Sequence, residues 1–314
     1  MSIALGAISS HIALAQTPEG ATLLAQMAAA MRATDYQGSF VYQHAGRIDT
    51  LRVFHAGGAR ERERLISLNG PRNEIVRNGT NITSIRADDS AIVYNSTSGR
   101  GLLPLVPDSV DPELEKSYRI VLNGSDRVAG YSADIVDIVA RDGFRYGYRL
   151  WIDKGSRLLL RSIVTDSKRQ PLEQFMFVSL IIGTPPSDTD LVPRQRELLT
   201  TTATDSDEIE LRGEPMWSVS KAPSGFAFRS ARRSMDAVEG AQHLVYSDGL
   251  ASVSVYVEPK NSTGDELTTI ASRGTMNIYT YSNEKWRFTV LGDVPLATVT
   301  MMAQSLQPVV KSVP

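Results

Sequence analysis

Residues 143–153 read Gly143-Phe144-Arg145-Tyr146-Gly147-Tyr148-Arg149-Leu150-Trp151-Ile152-Asp153. Successive side chains of a strand point to opposite faces. Phe144, Tyr146, Tyr148, Leu150 and Ile152 therefore share one face, and Arg145, Arg149 and Trp151 the other. Arg141-Asp142-Gly143 before the stretch and Asp153-Lys154-Gly155-Ser156 after it are turn signals, since glycine takes positive φ freely and Asp bonds back to nearby backbone. A strand bounded by tight turns on both sides is the middle of an antiparallel meander. Its aromatic face needs a cover, and what covers it bears on function.

Upstream, Thr17-Pro18-Glu19 has the composition of a helix start: Thr at the N-cap, Pro at the first helical position and an acid in the first turn. Leu23, Leu24, Met27, Ala28 and Met31 then recur at helical spacing, which predicts a helix packed on the sheet. From Gly38 the pattern changes to short strands at 38–44, 48–55, 60–68, 74–77, 80–85 and 91–95, with Asn-Gly and Asp-rich turns between them. No helices intervene, so these are not βαβ units but an antiparallel sheet or open barrel. Residues 100–107, Arg-Gly-Leu-Leu-Pro-Leu-Val-Pro, interrupt the meander as a loop that tucks its leucines inward or as a flap over an apolar cavity. A short helix at 112–116 follows, then strands at 118–122, 131–139, 158–166 and 172–182. The last is apolar on both sides and is expected to be covered on both.

Residues 183–215 break the pattern with Pro185-Pro186 and the polar run 200–207, and read as an interdomain connection. A short helix at 191–199 is an option within it. A second set of strands follows at 216–221, 226–232, 242–247, 250–258, 275–282 and 285–291, and a helix from Asp293-Val294-Pro295 to about Leu306 closes the chain.

A length of 314 residues suits two domains, and 42% hydrophobic with 22% charged residues is ordinary for a globular protein. A net charge of -2 makes no electrostatic case for nucleic acid. The absence of cysteine removes disulfides, thiolate metal sites and cysteine nucleophiles. At the N-terminus, residues 3–14 are apolar and small, and Ala13-Leu14-Ala15 before Gln16 is a secretory cleavage pattern, although a basic start is missing. The expected organisation is a signal at 1–15, a sheet domain at 17–184, a linker at 185–214 and a small C-terminal domain at 215–308.

Motifs for catalysis are scarce. His44, His55 and His243 stand in no short ligand spacing; His44 and His55 would hold a metal only if they faced each other across the first hairpin and found a third ligand. Gly130-Tyr131-Ser132-Ala133-Asp134 fails as a nucleophile elbow at its last residue, and Ser218-Val219-Ser220-Lys221 lies in a strand without its partner motifs. Glu61, Glu63, Asp88 and Asp89, interleaved with Arg60, Arg62, Arg64 and Arg86, read as a solvated strand face. Arg141, Arg145, Arg149, Arg157 and Arg161 read as solvent-side spacers or a shallow anion patch. The reading is therefore a binding module without metal, cofactor or catalytic residue.

Other stretches carry a family likeness. Tyr36-Gln37-Gly38-Ser39-Phe40-Val41-Tyr42-Gln43-His44 with Thr50-Leu51-Arg52-Val53 resembles the start of the RseB/MucB family of periplasmic regulators. Leu65-Ile66-Ser67-Leu68-Asn69-Gly70-Pro71, Asp126-Arg127-Val128-Ala129-Gly130 and residues 146–153 are similar to it too. So are Pro223-Ser224-Gly225-Phe226, Val245-Tyr246-Ser247-Asp248-Gly249-Leu250 and Val253-Ser254-Val255-Tyr256-Val257-Glu258. The likeness is less over 277–286.

The resemblance implies an α+β protein. Its large N-terminal domain would be a curved, open antiparallel barrel similar to the lipoprotein carriers LolA and LolB, wrapped around helices, and a smaller C-terminal α/β domain would follow. It implies a periplasmic location and, as partner, the periplasmic segment of a transmembrane anti-sigma factor, which the protein would shield from proteolysis until a lipid or lipopolysaccharide releases it. The alternative is a lipid or lipoprotein carrier of the cell envelope; a homodimer is allowed. On this reading Phe40, Tyr42, Leu51, Val53, Leu102, Leu103, Tyr146, Tyr148 and Leu150 are the lipid-binding wall. Arg229, Arg232, Arg233, Tyr246 and Tyr256 are the partner surface, and an extended partner segment would add to a sheet edge or lie between the domains.

Overall fold

The computed structural model describes residues 18–88, 90–95, 103, 114–193, 199–201, 208–210, 214–234, 240–260 and 268–309. The signal segment, Leu102 and most of the expected flap lie outside these residues. In chain order, α1 (Pro18–Ala33) is followed by β1 (Tyr36–His44), β2 (Arg47–Ala56), β3 (Arg62–Ser67), β4 (Glu74–Asn78), β5 (Asn81–Ile85) and β6 (Ser90–Asn95). Then come α2 (Leu114–Ser117), β7 (Tyr118–Val128), β8 (Tyr131–Ala140), β9 (Gly147–Asp153), β10 (Leu159–Thr165) and β11 (Pro171–Ile182). The connection carries β12 (Leu199–Thr201) and β13 (Glu208–Glu210). The second half holds β14 (Trp217–Val219), β15 (Ala227–Ser234), β16 (Gln242–Ser247), β17 (Ser252–Pro259), β18 (Thr268–Arg273), β19 (Met276–Ser282), β20 (Trp286–Gly292), α3 (Leu296–Gln304) and β21 (Leu306–Pro308).

A twelve-stranded sheet runs in the order β12-β6-β5-β4-β3-β2-β1-β11-β10-β9-β8-β7, antiparallel except where β12 lies parallel to β6. It is curved and unclosed, as the α+β reading expects. The α1 stripe forms as its spacing requires: Leu23, Leu24, Met27, Ala28 and Met31 are all buried, each large one worth roughly 1.5–3 kcal/mol of burial. The sheet curls far enough to bring β7 onto α1. A Cβ at Gly20 would sit 2.7 Å from Ile120 Cγ2, so only glycine permits that approach. On the other flank, the Tyr131 hydroxyl of β8 donates to the Leu180 carbonyl of β11 at 3.0 Å.

The second sheet is seven-stranded, in the order β13-β15-β16-β17-β20-β19-β18. Val299, Met302 and Ala303 of α3 pack with Trp217, Leu244, Val255, Phe288 and Val290 on one of its faces. The pair β14–β21 ties the start of this half to its end, Trp217 opposite Pro308.

Three local readings change. The central strand begins at Gly147 rather than Gly143, because residues 141–145 bend. The Asp142 carboxylate holds the bend by accepting the Phe144 N–H (2.9 Å) and the Arg145 Nε (3.0 Å), which takes Arg145 off the strand. The outer face of β11 is open, with Val178 and Ile181 about half exposed; the register with β1 shifts beside Val178. The charged residues of β3 and β4 are not all solvated. Glu63, Arg64, Glu74 and Arg77 are buried: residues 183–193 lie back over one side of β3, where Arg64 donates to the Asp190 carbonyl, and on the other side Glu63 lies 3.4 Å from Arg77.

Candidate functional site

The two sheets meet at a polar joint built on the bend before β9. Arg145 is 1% exposed, and its guanidinium reaches into the second half. Nη1 donates to Asp248 Oδ2 at 2.6 Å and Nη2 to the Ser224 carbonyl at 2.5 Å, while Nε stays with Asp142. The rings of Tyr118 and Phe226 lie 5.4 and 5.1 Å from its central carbon, so the cation is stacked as well as bonded. Asp248 Oδ2 also accepts the Tyr118 hydroxyl (2.9 Å), and its Oδ1 accepts the N–H groups of Leu250 and Ala251. Both charges are thus withdrawn from water with partners on every side, the condition under which a buried pair is tolerated. Burial, then the Asp248 charge, raises the Tyr118 phenol well above its usual range.

A second node lies beside it. Glu173, buried on β11, accepts the Tyr42 hydroxyl at 2.6 Å and the Thr275 N–H at 2.8 Å. Gly274 has φ +61, and a Cβ there would collide with the Glu173 carboxylate, so the β18–β19 turn is fitted to this contact. Asn277 donates to the Tyr146 hydroxyl (3.1 Å) and the Val294 carbonyl (2.8 Å), and Thr298 Oγ1 of α3 donates to the Phe144 carbonyl (2.6 Å). Burial is the first cause raising both the Tyr42 and Tyr146 phenols; for Tyr42 the bond to Glu173 adds to it.

The residues expected to form the lipid wall fall into three groups. Phe40, Val53 and Leu150 are fully buried within the cluster under α1; Leu103 is buried there and Leu51 packs against it. Tyr42 and Tyr146 are joint residues. Tyr148 is half-buried and lines a cavity of about 460 Å³ at the ends of β8–β11, shared with Arg145, Arg149, Ile163, Arg169 and Pro171.

The residues expected at the partner surface do not all converge. Register puts Arg232, His243 and Tyr256 side by side on the sheet face away from α3, with the His243 and Tyr256 rings stacked at 4.2 Å. Tyr246 belongs to the opposite, buried face, its hydroxyl accepting the Val219 N–H. Arg229 stands at a register shift and is exposed, as is Arg233 near the sheet's β13 edge.

The arginine cluster is spent on internal contacts rather than forming an anion patch. Arg149 donates two hydrogen bonds to the Asp137 carboxylate (2.6 and 2.9 Å), Arg161 lies over Trp151 at 4.3 Å, and Arg141 caps the Glu115 and Tyr118 carbonyls. His44 and His55 do not face each other, since the hairpin register pairs His44 with Arg47 and His55 with Tyr36. His55 clusters instead with Glu61 and Glu63, but Arg77 Nη1, 3.4 Å from Glu63 and 3.7 Å from Glu61, fills the place of a cation there.

Asp248, Glu173 and Asn277 escaped the sequence reading. Asp248 looked like a turn residue and Asn277 lay where the family likeness fades. Glu173 did carry a signal: a lone carboxylate opening an apolar strand needs a partner.

Comparison with known proteins agrees with this architecture. The family model described as the MucB/RseB N-terminal domain matches residues 19–195, and that described as the MucB/RseB C-terminal domain matches residues 212–307. The Sigma factor AlgU regulatory protein MucB of Pseudomonas aeruginosa is 30% identical over 93% of this chain and 92% of its own length. The Sigma-E factor regulatory protein RseB of Escherichia coli K12 is 25% identical over 98% and 96%. Among solved structures, the Pseudomonas aeruginosa MucA/MucB complex has 28% identity, covers 92% of this chain and 99% of its own, and superposes with a TM-score of 0.70. A structure of MucB in complex with MucA(peri) gives 27%, 92%, 98% and 0.69. With both halves matched and the two-sheet fold shared, this chain belongs to the MucB/RseB family.

Proposed function

We propose that this chain is a periplasmic regulator of an envelope-stress sigma factor. It would bind the periplasmic segment of a membrane anti-sigma protein and shield that segment from the protease that starts its destruction. The observation that carries the reading is the match of both halves, in order, to regulators that include solved complexes with a periplasmic segment. Among the described residues no helix is long and apolar enough to cross a membrane. A carrier of lipids or lipoproteins would need only the large sheet, and a second sheet bolted to it by Arg145–Asp248 favours a receptor with two working parts. On this reading the protein acts by occupancy and makes or breaks no bonds itself.

Release by a lipid or lipopolysaccharide is the second part of the proposal. A ligand shifts an equilibrium only if it binds the two states unequally. The cavity beside Arg145 supports this part: an acyl chain lodged against Tyr148 and Ile163 would press on the joint and so bind the two states unequally. Titration calorimetry of the full chain with the purified periplasmic segment of a MucA-type protein tests the first part; no heat and no co-elution would refute it. Tyr148→Asp tests the second. It should weaken binding of the segment-releasing lipid while leaving segment binding intact, and unchanged lipid affinity would remove the cavity from the account.

A further inference from the structure

Among the described residues, the second sheet ends in an unguarded edge. All six residues of β18, Thr268-Thr269-Ile270-Ala271-Ser272-Arg273, are exposed, and Ile270 is 52% exposed despite being apolar. Natural edges are usually blunted by proline, lysine, a bulge or an inward charge. This strand has no proline and no lysine, and its pairing with β19 runs without a register shift. Among the described residues nothing pairs with its other side.

The direction of its free backbone groups follows from the turn. Arg273 and Met276 flank the two-residue turn Gly274-Thr275, so they form a hydrogen-bonded pair. Thr269 and Ala271 then also bond β19, and Thr268, Ile270 and Ser272 turn their N–H and C=O groups outward. The same turn runs straight into the joint, where the Thr275 N–H meets Glu173.

We propose that an extended stretch of the anti-sigma partner docks on β18 as a further strand of this sheet, reaching the joint at its Arg273 end. This inference rests on the regulator reading above and assigns it a surface. A second copy of the chain is the weaker occupant. Two six-residue edges fall short of the roughly 800 Å² per partner of a specific interface, whereas a segment running on from β18 gains contacts from both sheets.

The test is amide hydrogen exchange on the full chain with and without the purified periplasmic segment of a MucA-type protein. Free, the amides of Thr268, Ile270 and Ser272 should exchange fast and those of Thr269 and Ala271 slowly; bound, all should be slow. Ile270→Pro removes one outward N–H without touching the β19 ladder and should weaken binding about tenfold or more, while Ile270→Ala stays within about threefold. Unchanged exchange at the three outward amides would overturn the proposal even if the proline variant misfolded. So would protection that rises with chain concentration alone, which would mark a second copy. Absence of any segment binding by the wild-type chain would overturn both this inference and the regulator reading.

Discussion

Strand periodicity makes Arg145 one of several solvent-side arginines, and the structure buries it with partners from both halves of the chain. Strand periodicity placed it, and the Asx bend at Asp142 displaced it; a side-chain bond to backbone within three residues is invisible to a period-two pattern. Truncating Arg145 leaves the Asp248 carboxylate buried without a countercharge, and truncating Asp248 leaves the buried guanidinium with Asp142 alone. Arg145→Ala or Asp248→Ala should therefore cost about 3–5 kcal/mol in urea unfolding, while the apolar double variant Arg145→Met/Asp248→Leu should recover most of that. Equal loss in the double variant would mean that the pair matters as a contact and not as a charge balance. The phenols around it set a pH limit. Tyr118 and Tyr42 donate to carboxylates, and their folded pKa values are raised above the ordinary 10.0. The stabilisation is complete below pH 10 and is lost as pH climbs toward the folded values, because the unfolded chain ionises first. Thermal melts should thus be flat to about pH 10 and fall steeply beyond it, more shallowly in Tyr118→Phe.

Helix α1 and the meander were legible because each obeys a single period. The five-residue stripe of α1 and most turn-bounded strands of the large sheet appear where spacing and glycine put them, within a residue or two at their ends; β7 runs six residues past the expected 122, and β9 starts four residues late. Met27→Ala, which opens a hole at a fully buried position, should cost about 2–5 kcal/mol without changing the strand content seen by circular dichroism. The short strands β12, β13 and β18 were not legible. Their residues are polar or mixed, and what makes them strands is a neighbour across the sheet, not their own pattern. Burial of Arg64 is hidden from the sequence for the same reason: the cover is the connection at 183–193, far away in sequence.

Taken as one body, the protein is two largely antiparallel sheets clamped by two polar nodes, one on Asp248 and one on Glu173. Composition alone removes cysteine chemistry, yet only long-range pairing shows that the bend before β9, the turn after β18 and the start of α3 meet in one place. Gly274→Val should damage this meeting doubly, through strain at positive φ and collision with Glu173, and should loosen the halves without unfolding either core. Small-angle scattering would then report a larger radius of gyration with far-ultraviolet dichroism preserved. The functional account comes down to whether the clamped pair of sheets guards another protein. The direct measurement is the cleavage rate of a purified MucA-type periplasmic segment by its envelope protease, with and without a saturating amount of the full chain. Cleavage slowed about tenfold or more is the expected result; cleavage at the same rate in both reactions would contradict the account.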